Sequence, residues 1–195
     1  DVTSRMMVPM SVPFNVLGEL IRHRRTSLLV DRTRQVEPEL IAELCELGQW
    51  APNHKRTWPW RFALFVEEGR GQLGDVIADA MALHGDEPAK VAKARTKYLR
   101  APALLVVGAE AGESPLRTAE NRDAVAAGVQ NILLGATALG LASFWASCPK
   151  GTGDAVAMLS GFPVSTTVVA MIYLGWPSAT VEAPERPAVR LTVIG

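Results

Sequence analysis

Residues 124–149 contain no charged side chain, which is a long uncharged stretch for a chain of 195 residues. A stretch of this length is either a membrane-spanning helix or a segment buried in a globular fold. Gly140 interrupts it, and it contains polar side chains that are poor neighbours for lipid. These polar residues are Gln130, Asn131, Thr137 and Ser143. We therefore favour a buried helix over a membrane-spanning one.

The composition is that of a globular protein. Hydrophobic residues make up 48% of the chain and charged residues 21%, which argues against intrinsic disorder. Twenty basic residues balance twenty acidic ones, so the chain lacks the excess positive charge of most proteins that bind nucleic acid or anionic membranes. A basic stretch that contains Lys90, Lys93, Arg95, Lys97 and Arg100 leaves nucleic-acid binding open as a disfavoured alternative.

The cysteines and histidines give no sign of a disulfide framework or a metal site. Cys45 and Cys148 lie far apart in sequence, which indicates a reducing compartment and a cytoplasmic location. His23, His54 and His84 lack the spacing of metal ligands. We therefore expect no bound metal.

Hydrophobic periodicity predicts helices and strands that interleave irregularly. The predicted helices are residues 14–24, 38–50, 71–84, 88–99, 118–139 and about 154–159. The predicted strands are residues 61–68, 102–110, 142–147 and 166–176, with "AVRLTVI" (188–194) as a possible added strand. This order favours an α+β sandwich, with one sheet between two layers of helices. We expect residues 14–195 to form a single domain after a flexible extension of residues 1–13.

One face of the helix predicted at residues 118–139 consists of small residues at intervals of three or four. They are Ala124, Ala127, Gly128, Asn131, Gly135 and Ala138. Such a face lets another backbone approach closely, and the other sides of the helix are apolar, so the helix should be buried all round. A symmetric dimer and a central helix within one chain both satisfy this requirement.

The sequence contains no self-contained catalytic motif. The sequence "RHRRTS" (22–27) fits a helix C-terminus with a cationic cap, and it equally fits a phosphate clamp built from arginine and hydroxyl donors. The sequence "GTGDAV" (151–156) lacks the third glycine of a dinucleotide-binding fingerprint, so we interpret it as a loop and helix cap. Nucleophile-elbow and Walker A sequences are absent. We infer that a cofactor carries the reaction.

Four motifs, taken in order along the chain, resemble those of the nitroreductase family. They are "RRTS", "APNHKRTWPWRF", "GLASFWAS" and "YLGWP". The resemblance extends from about residue 14 to residue 190 and is to the small single-domain bacterial subgroup of these FMN-dependent NAD(P)H oxidoreductases. It implies a nitroreductase-like three-layer α+β sandwich, with a central, mostly antiparallel sheet, helices on both faces and an intertwined homodimer.

The resemblance also implies residue roles around FMN. Arg24, Arg25 and Thr26 would hold the phosphate and the pyrimidine edge of the flavin. The partner's loop would contribute Trp50 and His54. Trp145, Ala146 and Ser147 would run along the ring, and Arg186 in the tail would reach the phosphate. No side chain would be catalytic, because N5 of the flavin would carry the hydride.

Two departures from the family pattern concern the phosphate site and the substrate pocket. Leu28 and Leu29 stand where many members carry a further basic residue. Trp58 precedes Pro59 where the family loop usually has glutamine, so we place Trp58 and Lys55 in the substrate pocket, which Trp58 would narrow. In this interpretation the loop is aromatic because it walls a flat ring system and a dimer seam, and cationic because the cofactor is an anion. We assign the loop's third tryptophan, Trp60, to the core.

The implied function is transfer of hydride from NADH or NADPH to a small oxidised acceptor, such as a nitroaromatic or a quinone. Donor and acceptor would use one pocket in turn, which predicts ping-pong kinetics. A flavin-binding storage or sensor protein without turnover remains the alternative.

The clamp hypothesis predicts a difference between FMN and riboflavin, which lacks the phosphate. Replacing Arg24 by alanine should weaken FMN binding by ~1.5–3 kcal/mol, the contribution of a charged hydrogen bond, and should weaken riboflavin binding far less. Titration of both ligands measures the difference. Equal losses would assign Arg24 to the helix cap alone. The same change at Arg186 should behave likewise if the tail folds back onto the phosphate.

Overall fold

The computed structural model describes residues 12–195. Most of the predicted extension, residues 1–11, lies outside the described residues. Val12 and Pro13 are exposed and belong to no helix or strand.

Six helices and four strands form the described chain, close to the predicted positions, except that Glu67 and Glu68, predicted to end a strand, begin a helix. The helices are α1 (Phe14–His23), α2 (Pro38–Gln49), α3 (Glu67–Leu83), α4 (Pro88–Lys97), α5 (Pro115–Ala138) and α6 (Gly153–Leu159). The strands are β1 (Trp60–Val66), β2 (Ala103–Glu110), β3 (Ala142–Ala146) and β4 (Thr166–Gly175). Short 3₁₀ turns occupy His54–Arg56 and Tyr98–Arg100. Helix α5 begins before residue 118 because the Ser114 hydroxyl accepts a hydrogen bond from the Arg117 amide and Pro115 suits the first turn.

The sheet has the strand order β1-β2-β4-β3 and is antiparallel throughout. Strand β2 is buried on both faces: Leu105 and Val107 pack with α2 and α5, whereas Leu104 and Val106 pack with α3, α4 and α6. Successive side chains of a strand point to opposite faces of the sheet, so the core consists of two layers of side chains, one on each face. This arrangement confirms the predicted α+β sandwich.

The predicted strand at residues 188–194 is wrong. Pro177 pairs with Val30 in an isolated bridge, and beyond Thr180 the tail has no helix or strand. Val189 and Leu191 are exposed although their spacing is that of a strand. A strand needs a neighbouring edge to pair with, and no edge within residues 12–195 pairs with this segment.

The small face of α5 packs against α2 of the same chain. A Cβ atom added to Gly128 would lie 2.5 Å from the carbonyl oxygen of Gly48, and the side-chain amide of Asn131 donates to the Leu47 carbonyl at 3.1 Å. A Cβ atom at Gly135 would lie 2.7 Å from Leu44 Cδ2. Gly128, Asn131 and Gly135 of this face therefore contact α2 within one chain. Ala127 and Ala138 of the same face are exposed, so contacts within one chain do not bury the helix all round. No helix among residues 12–195 is long and apolar enough to cross a membrane.

Two glycine-to-alanine changes test this packing. Gly128→Ala should lower the free energy of unfolding by ~1–3 kcal/mol, because the methyl group would overlap the Gly48 carbonyl. Gly71→Ala in α3 is the matched control, since nothing lies within 4 Å of its added Cβ, and should raise stability by ~0.5–1 kcal/mol through helix propensity. Urea unfolding measures both. Equal effects at the two positions would contradict the close approach of α2 and α5.

Candidate functional site

The free side of β3 is the first part of the candidate site. Strand β3 pairs only with β4 among the named strands. On its other side, Thr26 forms a parallel bridge with Ser143, and the Ser27 amide donates to the Ser143 carbonyl at 2.9 Å. Arg24 ends α1 by taking an extended conformation, with φ −57° and ψ 128°. The segment that follows α1 therefore lies along the edge of the sheet.

The two arginines of this segment have different surroundings. Arg24 Nη1 lies 3.5 Å from Thr26 Oγ1, because alternate residues of an extended chain point to the same side. Arg25 instead donates to the backbone carbonyls of Arg22 and Arg24. Arg25 thus caps α1, whereas the guanidinium of Arg24 and the hydroxyl of Thr26 lie together and retain donors for an anion.

Two buried polar atoms at the same edge have no hydrogen-bond partner among the described residues. They are the Ser143 hydroxyl and Nε of Arg25. Buried polar groups in folded proteins are nearly always hydrogen-bonded, so unpartnered ones call for an explanation such as a further polar ligand. Together with the free donors of Arg24 and Thr26, they fit a phosphate-bearing cofactor.

The end of β3 presents the other predicted residues of this edge. Trp145 lies on the same face of β3 as Ser143, pairs with Ile172 and is 38% exposed. Ala146 is half-buried and Ser147 is exposed directly after the strand. This short segment follows the edge on which Thr26 lies.

The second part of the site is the tryptophan-rich loop between α2 and β1. Its backbone is strained: Lys55, Arg56 and Trp58 all have positive φ, at 63°, 52° and 51°. The side chain of Asn53 supports this shape, because its Oδ1 accepts from the Trp58 amide at 2.9 Å and its Nδ2 donates to the Thr57 hydroxyl at 3.1 Å. Backbone strain of this kind persists only where surrounding contacts determine the conformation.

Contacts with α5 fix the loop from the outside. The Thr57 hydroxyl donates to Asn121 Oδ1 at 2.6 Å, and Asn121 Nδ2 donates to the Glu110 carbonyl at 3.0 Å. His54 Nδ1 lies 3.0 Å from Glu120 Oε1, and Arg117 donates to the other oxygen of the same carboxylate at 2.6 Å. The loop is therefore held in one shape.

The fixed loop turns two of its three tryptophans outward. Trp50 is 78% exposed and Trp58 is 59% exposed, whereas Trp60 is 4% exposed, as predicted for a core residue. Lys55 is exposed and lines a polar cavity of about 690 Å³ together with Arg61 and Glu110. A rigid loop that exposes two large aromatic rings has the properties of a binding surface.

The two parts of the site lie at opposite edges of the sheet. The loop leads into β1, and the segment after α1 follows β3, so β2 and β4 stand between them. Three strand spacings separate the edges by roughly 14 Å. Arg186 lies in the exposed tail, which forms no helix or strand beyond Thr180. One chain therefore does not bring all the predicted site residues together.

Neither cysteine is an activated nucleophile. Burial raises the pKa of Cys45 to about 12 and also raises the pKa of Cys148, so both thiols are protonated at neutral pH. No group of three potential metal ligands exists among the described residues. Sequence reasoning missed Asn53 and Asn121, which shape the loop. The position of Asn53 next to a turn was a signal, because asparagine side chains often bond the backbone there. Asn121 lies within α5 and gave no such signal.

Comparison with known proteins identifies relatives across most of the chain. A sequence model described as "Nitroreductase family" matches residues 21–176. The Escherichia coli (strain K12) protein named "Putative NAD(P)H nitroreductase YdjA" is 26% identical over 176 residues, which cover 86% of this chain and 93% of that protein.

Solved structures show the same fold. The crystal structure of a nitroreductase-like family protein from Bacillus cereus superimposes with a TM-score of 0.74 at 26% identity, covering 93% of this chain and 95% of the other. A nitroreductase with bound FMN from Bacteroides fragilis has a TM-score of 0.73 at 22% identity, covering 92% of this chain and 98% of the other.

Proposed function

Because the chain belongs to the nitroreductase family, we propose that it is an FMN-dependent oxidoreductase that moves hydride from NADH or NADPH to a small oxidised acceptor. The YdjA relative is named for NAD(P)H, and the Bacteroides fragilis structure holds FMN. A nitroaromatic or a quinone is the proposed class of acceptor. The two thiol cysteines accord with the proposed cytoplasmic location.

The observation that carries the proposal is the pair of complementary half-sites at opposite edges of the sheet. The β3 edge offers anion donors and unpartnered buried polar atoms, and the loop before β1 offers fixed, exposed aromatic rings. A cofactor with a phosphate at one end and a flat ring system at the other needs both. A two-fold axis can place the loop of each chain against the β3 edge of the other, which creates two equivalent contacts in one dimer.

Uncovered apolar surface supports the homodimer. Helix α1 has no buried residue, and its stripe of Leu17 and Ile21 is about half exposed. The tail carries further exposed apolar residues beyond Thr180. Large exposed apolar surface marks interaction sites, among them interfaces between protein chains. The proposed dimer would cover α1 and the tail while it completes two sites.

The chain's own residues have distinct tasks in this proposal. Arg24 and Thr26 would bind the phosphate, and Arg186 would join them if the tail folds back. Trp145, Ala146 and Ser147 would support the ring along β3, while Trp50 and His54 of the partner's loop would pack near it. Lys55 and Trp58 of the same loop would line the substrate pocket, which Trp58 would narrow. Bound FMN supplies the hydride chemistry itself. The cations near the ring would stabilise negative charge that develops there.

The visible spectrum of the purified protein tests the function directly. We expect bound flavin that NADH or NADPH bleaches in the absence of oxygen, and whose colour returns when a quinone or nitroaromatic is added. A coloured protein that neither nucleotide bleaches would be a flavin-binding storage or sensor protein. A colourless protein that takes up no FMN would refute the proposal.

A heterodimer test examines whether two chains share each site. Arg24→Ala disables the β3 half, and His54→Ala combined with Trp58→Ala disables the loop half. At an FMN concentration that loads the native protein but not the variants, each homodimer should be nearly inactive. A heterodimer purified with two different tags should then recover about half of the native activity, because one of its two sites is intact. A heterodimer as inactive as its parents would show that each pocket is built by one chain.

A further inference from the structure

A second cavity, of about 900 Å³, lies between α4 and the end of β3. Its lining includes five cationic residues and no carboxylate. The cations are Arg32, Lys90, Lys93, Lys97 and Arg100. Ser147 and Cys148 form part of the same wall, so the cavity adjoins the β3 segment assigned to the flavin.

The cations of α4 lie on two sides of the helix and have different neighbours. Lys90, Lys93 and Lys97 are spaced three and four residues apart, which places them on one side of the helix, towards the cavity. Arg95 lies off this stripe and pairs with Asp75 at 3.0 Å and Asp79 at 2.7 Å on α3. The acidic residues of α3 therefore neutralise Arg95 but not the lysines.

Most of the positive charge in the cavity has no protein counterion. Lys90 has Glu87 at 3.5 Å, but the other four cations form no ion pair within residues 12–195. The pKa of Lys97 is lowered by burial and by the nearby charges of Arg100 and Lys93. Like charges held this close destabilise one another, and a bound anion would relieve that repulsion.

Tyr98 gives an independent sign of a ligand. It lines the cavity, is 1% exposed, and its hydroxyl has no hydrogen-bond partner among the described residues. Its ring stacks on Tyr173 with centroids 6.2 Å apart, and the guanidinium of Arg100 lies over the Tyr173 ring at 5.5 Å. The stacked pair thus holds Arg100 at the cavity wall, and neither tyrosine hydroxyl has a hydrogen-bond partner among the described residues.

We propose that this cavity binds the charged end of a small molecule with at least two negative charges, whose other end reaches the β3 edge. The proposal rests on the function proposed above for its place in the reaction. The charges have two sources: the phosphates of the nicotinamide donor, or the carboxylates of an acidic acceptor. In either case the side of α4 that carries Lys90, Lys93 and Lys97 selects among substrates by their charge.

Isothermal titration of the FMN-loaded protein tests the cavity with three probes. Adenosine 5′-monophosphate, whose single phosphate carries two negative charges above its second pKa of about 6, represents the donor. The dianion 5-nitroisophthalate represents a dicarboxylate acceptor, and 5-nitroisophthalamide is its neutral analogue. We expect at least one dianion to bind, and its Kd to rise about tenfold for each charge removed in Lys93→Gln and in Lys93→Gln with Lys97→Gln. The neutral analogue should bind more weakly than its dianion. The dianion that binds identifies the source of the charge.

Arg122→Gln is the matched control, because Arg122 is an exposed cation on α5, on the opposite face of the sheet. Its effect on the Kd should stay below about twofold, since exposed charges more than a Debye length away are screened. Lys93 is exposed, so its single variant keeps the test valid if Lys97→Gln impairs folding. Equal effects of Lys93→Gln and Arg122→Gln, or no binding of either dianion, would overturn the proposal. Tighter binding of duplex DNA than of both dianions would overturn it in favour of a nucleic-acid surface.

The same titration on FMN-free protein separates this proposal from the function. Flavin bleaching by NAD(P)H without any binding of dianions would refute the cavity and leave the oxidoreductase intact. Binding of a dianion that depends on Lys93, in a protein that takes up no FMN, would support the anion site and refute the oxidoreductase.

Discussion

Burial of the two central strands on both faces is the constraint on which the rest of the structure depends. The side chains of Leu104, Leu105, Val106 and Val107 are almost completely removed from water, as are those of residues 170–174 on β4. Each fully buried Val, Leu, Ile or Met side chain among them contributes roughly 1.5–3 kcal/mol. Filling both faces takes helices on both sides of the sheet. Within the sheet, polar binding groups can then lie only on the edge strands and at strand ends, and the candidate site is found there and in the adjoining loops.

The sequence allowed the layers to be predicted because they follow from local patterns. The apolar run at residues 102–110 and the uncharged stretch at 124–149 each require burial, whatever surrounds them. The partner of α5 could not be predicted in the same way. The spacing of Gly128 and Gly135 shows that something approaches closely, but whether it is α2 or a second chain depends on contacts remote in sequence. The strand predicted at residues 188–194 was wrong for a related reason, because a strand forms only where the edge of another strand can pair with it.

The candidate site shows the same limit at the level of single side chains. The motif "RRTS" predicted cations at the β3 edge, yet only the backbone conformation shows that Arg25 caps α1 while Arg24 lies with Thr26. The basic stretch at residues 90–100 suggested a nucleic-acid surface, if anything. In three dimensions Arg95 is neutralised by α3, and the lysines face a cavity that α4 forms with the end of β3. Spacing predicts which residues share a face, but not what lies opposite that face.

The strained loop before β1 accords with a site shared between two chains. A loop that contributes to a pocket in its own chain can be shaped by that pocket, whereas one that completes a partner's pocket must keep its shape before the partner arrives. Asn53 inside the loop, and Asn121 and Glu120 on α5, supply that support from within one chain. In the proposed dimer, these contacts reduce the entropy lost on association, because the positions of Trp50 and Trp58 are set beforehand. The cost of three residues with positive φ is therefore offset within the monomer, and the aromatic rings remain available to the second chain.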